Sequence, residues 1–154
     1  MSQQLTIEPL GATIDVHAGA DATTVQVWSM RRHLVHALSL AADAVIRPHL
    51  AAPDLARVRD LRLSRLQQLR RTPAALADRA LTAALFAGHG YAQPGLGTTR
   101  GLEALTLDAV VARHAAYVRP DRATLVLVGE AEHDELVTAA AAAFGAWRPA
   151  GEAG

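Results

Sequence analysis

Residues 123–128 read Ala-Thr-Leu-Val-Leu-Val, and no other stretch restricts the fold of this chain as much. Leu125 to Val128 are four large apolar residues in succession, so the run has no polar face. It is too short for an ordinary helix and rich in β-branched side chains, which reads as a strand covered on both sides. The residues before it form a turn: Pro120 fixes φ and stops a helix, and Asp121 is a favourable turn residue. Gly129 closes the run. A central strand is therefore expected, with the remaining elements packed on or beside it.

The material available for that packing is unusual. Of 154 residues, 51% are apolar but only 4% aromatic, so the core must be assembled from Leu, Val and Ala, with helices approaching closely through small side chains. A chain of this length can enclose one real core. Without cysteine there are no disulfides and no thiolate ligands. Lysine is absent, so all 15 basic residues are arginine, balanced by 15 acids. Zero net charge excludes a global attraction to nucleic acid or anionic lipid. The apolar stretch at 136–147 is too short to cross a bilayer, and residues 1–10 show no signal-peptide pattern.

Elsewhere the periodicity changes along the chain. Apolar and polar residues alternate at 12–16 and 23–28, which predicts a hairpin or two neighbouring strands with Val25 and Val27 on one face. From 31 to 46 the period is helical, with Leu34, Val35, Leu38, Ala42 and Val45 on one side and His33, His36 and Asp43 opposite. A long helix follows at about 53–71, started by Pro53, with Arg62 and Arg65 interrupting its apolar side. Thr72-Pro73 restarts a helix that Gly88 ends, and residues 89–97 form a Gly/Pro loop. Thr99 or Thr106 can cap a helix ending near Tyr117, and a last amphipathic helix begins near Asp134 and Glu135. Strands, then helices, then a strand and a helix make the chain α+β.

Five stretches taken together resemble the insulinase, or mitochondrial-processing-peptidase-like (pitrilysin-type), zinc metallopeptidase family. They are LGATIDVHAGADATTVQV from residue 10, ALSLAADAVIRPHLAAPDLARVRD from 37, TPAALADRALTAALFAGHGYAQPGLGT from 72, residues 117–130, and FGAW from 144. The third is similar to a helix leading into the family's His-Pro-Tyr-Gly loop, with Gly90 replacing the proline. The resemblance implies a LuxS/metallohydrolase-like layer, a mostly antiparallel sheet with helices on one face. It also implies a single domain over 10–148, truncated at its N-terminus, with poorly ordered ends at 1–9 and 149–154. Members of the family pair a zinc-bearing half with a half that has lost the metal residues, and the two enclose a peptide chamber.

Two departures place this chain with the second kind of half. No His-x-x-Glu-His occurs in it. Arg65 falls where the family's distal glutamate ligand would stand, and a guanidinium has no lone pair to offer zinc. No cofactor is expected in this chain itself, with Zn in a homologous catalytic half, in cis or in trans. The alternative within the family is an active half whose metal motif lies upstream.

His33 and His36 share a helix face at zinc-pair spacing but have no glutamate between them, so they read as surface histidines. His114 reads as a packed, hydrogen-bonded residue. His89 and Tyr91 occupy the loop similar to the family's, where the tyrosine ring would pack the loop down. Six arginines against two aspartates between 54 and 71 make a basic helix. It reads first as a solvated face. Arg62, Arg65, His89 and Tyr91 are the candidate contacts to substrate in a chamber. An Arg-rich interaction module on nucleic acid is the reading from another class, opposed by the neutral charge and the few aromatics.

Overall fold

The computed structural model describes residues 2–7 and 11–149. Of the ends expected to be poorly ordered, residues 1, 8–9 and 150–154 lie outside the described residues. The described residues fall into two compact units, one drawn from residues before 50 and after 111 and the other from residues 50–111.

The first unit holds the sheet. Strands β2 (Ala12–Ala18) and β3 (Thr23–Trp28) form the predicted hairpin, antiparallel, with Thr13 opposite Trp28 and Ala18 opposite Thr23. Ala12 and Ile14 are buried on one face of β2, while Val25 and Val27 are the less exposed residues of β3, so alternation located both faces. A third strand, β1 (Ser2–Ile7), pairs antiparallel with the other edge of β2, Ser2 opposite His17. No pattern in the first ten residues announced it, because a backbone ladder asks little of side-chain period.

Helix α1 (Leu34–Ile46) packs against β3 and against α6 (His133–Phe144). It buries Ala37, Leu38, Ala41 and Ala42, and the opposing helix buries Ala139. Three of the four buried residues on α1 are alanine, so the two helices can approach closely, as the composition required. Opposite, Arg47 closes an ion pair one turn back on Asp43. Asp134 and Glu135 stand in the first turn of α6, where its dipole favours acids. The His114 ring nitrogen Nε2 lies 2.9 Å from the Val45 carbonyl oxygen, the packed role expected of it.

The expected central strand is not one. Residues 123–128 belong to no sheet, although Ala123 is extended at φ −110° and ψ 142°. Val126 is 75% and Val128 94% exposed. Local propensity can extend a chain, but a strand exists only when a neighbour supplies the ladder, and none of the described residues does. The preceding turn is correctly read. Pro120–Arg122 is a single 3-10 turn, and the Arg119 guanidinium donates to both oxygens of Asp121 at 2.9 and 3.3 Å. That bond holds the Asp121 carboxyl below its ordinary range.

In the second unit, α2 (Ala52–Leu69) starts with Pro53 in its first turn and buries Leu66. Helix α3 (Pro73–Leu85) follows, with Thr72 at the N-cap position. Its hydroxyl donates to the Gln68 carbonyl at 3.4 Å instead of capping α3. Gly88 has φ +82° but does not end the helix as expected: α3 already stops at Leu85 with Phe86 as its C-cap, and the glycine sits in the following turn, closed by the His89 N–H on the Phe86 carbonyl at 2.8 Å. The single helix expected before Tyr117 is two. Thr98 caps α4 (Thr99–Glu103), accepting from the Gly101 N–H at 3.1 Å, and Thr106 accepts from the Ala109 N–H at 3.2 Å in the first turn of α5 (Leu107–Tyr117).

Candidate functional site

The four candidate residues all lie in the second unit, on α2 and on the loop after α3. Arg62 is half-buried, and its Nη1 donates a long bond of 3.4 Å to the Gly95 carbonyl. Arg65 is exposed, with its Nη1 3.3 Å from Oε1 of Gln68 on the same helix. The sequence suggested that both arginines interrupt the apolar side of α2. In the structure Arg62 reaches out to the 93–97 loop, while Arg65 lies along its own helix. Leu66, one turn after Arg62, carries the burial.

His89 and Tyr91 are locally locked. Nδ1 of His89 accepts the Tyr91 backbone N–H at 3.2 Å and caps the 3-10 turn Gly90–Ala92. The His89 and Tyr91 rings meet edge-on at 4.6 Å between centroids, and Phe86 also meets the Tyr91 ring edge-on, at 5.6 Å and 87°. Edge-to-face pairs of this kind hold a loop on its preceding helix, which is the packing role anticipated for Tyr91. Phe86 was the member that sequence reading missed. Its signal was its position at the end of α3, one turn before His89.

Arg62, His89 and Tyr91 are thus gathered on or against residues 86–97, whereas Arg65 bonds to Gln68 of its own helix. A shallow cavity of about 260 Å³ opens elsewhere in this unit, lined by Leu66, Leu69, Leu76, Arg70, Arg79, Thr98 and Thr99. None of the four candidates lines it, and nothing in the sequence pointed to it.

Nε2 of His33 accepts from the Arg32 Nε at 3.1 Å, and Nδ1 of His89 is engaged by Tyr91. Zinc takes three or four converging nitrogen, sulfur or carboxylate ligands. Among the described residues no three His, Asp or Glu side chains converge in that way. No helix among them is long and apolar enough to cross a membrane.

Residues 104–153 match the family described as the peptidase M16 inactive domain. A protein named as an uncharacterized zinc protease of Mycobacterium leprae is 28% identical over 140 residues, covering 90% of this chain and 31% of that protein. A probable mitochondrial-processing peptidase subunit beta of Schizosaccharomyces pombe is 23% identical over 149 residues, 97% of this chain and 33% of its own length. The crystal structure of a peptidase M16 inactive domain from Pseudomonas fluorescens superposes with a TM-score of 0.86 at 28% identity, covering 96% of this chain and 36% of that one. A protease from Helicobacter pylori has the same TM-score at 16% identity, a likeness of fold alone. The chain spans about a third of the length of the relatives it matches.

Proposed function

The chain is related to the peptidase M16 inactive domains, and from that premise we propose that it serves as the non-catalytic half of a zinc metalloendopeptidase. Residues 10–148 would act as one domain in a sheet-and-helix layer of the LuxS/metallohydrolase kind, forming one wall of a chamber for an extended peptide. A homologous catalytic half, in the same polypeptide or a separate subunit, would hold the zinc, the activated water and the general base. The observation that carries this reading is the match of residues 104–153 to an inactive domain; it agrees with Arg65 standing where the resemblance implies the family's acidic ligand.

In that role the chain's own groups bind and exclude water; they do no bond-breaking. Arg65 is exposed and its bond to Gln68 is long, so the guanidinium can be redirected to peptide carbonyls or carboxylates. Arg62, His89 and Tyr91 would form the firmer part of the wall, because each is tied to the 86–97 stretch.

The first test is direct. The purified chain should bind less than stoichiometric zinc by metal analysis and cleave no peptide alone. Mixed with a homologous half that carries His-x-x-Glu-His, it should raise that half's cleavage of peptides. Stoichiometric zinc in this chain would replace the proposal with the active-half reading. A second test reads the wall. In the mixture, Arg65→Ala should raise KM for peptides about three- to tenfold with kcat unchanged, the mark of lost uniform binding. Unchanged KM would remove Arg65 from the chamber. The nucleic-acid reading has no observation in its favour beyond the arginine count of α2.

A further inference from the structure

The cavity of about 260 Å³ in the second unit has two chemically different sides. It opens where α2 packs against α3 and α4, and its lining falls wholly between residues 66 and 99, so that stretch builds it alone. One side is aliphatic, made by Leu66, Leu69 and Leu76. Leu66 is buried, whereas Leu76 is 45% exposed and leaves this side open to an apolar ligand. The other side carries Arg70 at the end of α2, the half-buried Arg79 of α3, and two threonines at the start of α4. A guanidinium only donates hydrogen bonds. Oγ1 of Thr98 accepts the Gly101 N–H at 3.1 Å, which leaves its hydroxyl hydrogen to donate as well. No acidic side chain lines the cavity. Its polar side therefore offers two positive charges and a set of donors to one small volume.

We propose that this cavity binds a small aliphatic carboxylate. Arg70, Arg79 and the threonine hydroxyls hold the carboxylate, and the three leucines take the hydrocarbon. Both halves of the ligand are needed. A carboxylate accepts from every donor present and matches the planar guanidinium fork. Inorganic phosphate would satisfy those donors but leave the leucines in water. A neutral aliphatic molecule would cover the leucines and leave the guanidinium charges unanswered. Since a cavity of about 150 Å³ accommodates benzene, this volume suits roughly ten non-hydrogen atoms. Such a carboxylate can belong to a free monocarboxylic acid or to the C-terminal residue of a peptide. The cavity is shallow and the ligand small, so a Kd of about 1 mM is expected. The proposal does not rest on the peptidase reading, because none of Arg62, Arg65, His89 and Tyr91 lines this cavity.

A nuclear magnetic resonance titration of the whole chain, read at backbone amides, tests it with octanoate, acetyl-leucine, octanamide and inorganic phosphate. At least one of the two carboxylates should shift the amides of Arg79, Thr98 and Thr99 to saturation. Octanamide and phosphate should bind about tenfold more weakly. Tighter octanoate assigns the site to a free acid, and tighter acetyl-leucine to a peptide C-terminus. Arg79→Gln should weaken the preferred carboxylate about tenfold. Because Arg79 is half-buried, the exposed Arg70→Gln is the companion variant, with the same expected loss and an unchanged circular dichroism spectrum. Leu76→Ser should weaken octanoate about threefold while leaving acetate unaffected, which separates hydrocarbon contact from charge. Phosphate or octanamide binding as tightly as the carboxylates would overturn the proposal. So would the absence of shifts with both carboxylates, or binding indifferent to loss of either arginine.

Discussion

Leu38→Ala should cost the folded chain about 3 kcal/mol, the usual loss when a buried leucine leaves a cavity that its surroundings only partly fill. Leu38 is 6% exposed, on the face of α1 that also buries Ala37, Ala41 and Ala42. Its neighbours there are mostly alanines, which have no longer side chains to swing into the space. The removed methyl groups therefore leave a void instead of being replaced. Val35, less than one turn earlier, is 63% exposed, and Val35→Ala should change stability by less than about 0.5 kcal/mol. Urea denaturation followed by helix circular dichroism would compare the two midpoints. Equal shifts would mean that α1 does not pack by the face described here.

Gly145→Ala is the second large effect, and two opposing terms set its sign. Gly145 closes α6 with φ −62° and ψ −23°, a conformation any residue adopts. Helix propensity and reduced freedom of the unfolded chain would then favour alanine by up to about 1 kcal/mol. Against this, a Cβ at that position would stand 2.4 Å from the Ala141 carbonyl oxygen, which already accepts the Gly145 N–H at 2.9 Å. Backbone cannot yield as a flexible side chain would, and forced overpacking costs about 1–3 kcal/mol. The steric cost should win, leaving the variant about 1–2 kcal/mol less stable and its thermal midpoint several degrees lower. A stabilised Gly145→Ala would show that the last turn of α6 has room that the geometry denies it.

These two cases show how the chain divides between what a sequence reader can see and what only folding decides. The helical face of α1 was legible only in part, since Leu38 and Ala42 were expected on it and are buried, while Val35 is exposed and Ala37 and Ala41 were not singled out. The hairpin was legible because alternation marks a half-covered sheet. The need for Gly145 was not legible. It depends on the distance to a carbonyl one turn back, which spacing does not encode. Arg62 and Arg65 differ for a related reason. Three positions apart, they looked alike in the periodic pattern, yet one reaches a loop carbonyl 33 residues away and the other a glutamine on its own helix. The aromatic packing of Tyr91 was visible in type, but its partner Phe86 required knowing where α3 ends.

What the sequence determined by itself is chemistry that no arrangement can alter. There is no cysteine and no His-x-x-Glu-His, and Arg65 carries a fixed positive charge on α2. The pairing of residues 123–128 belongs to tertiary structure alone. β-branched apolar residues extend a chain through local sterics, and that much is written residue by residue. A ladder is a bond between two segments, so its existence depends on which neighbour arrives. In this fold β1 pairs with β2 without any patterned sequence, while the most strand-like run of the chain remains in solvent.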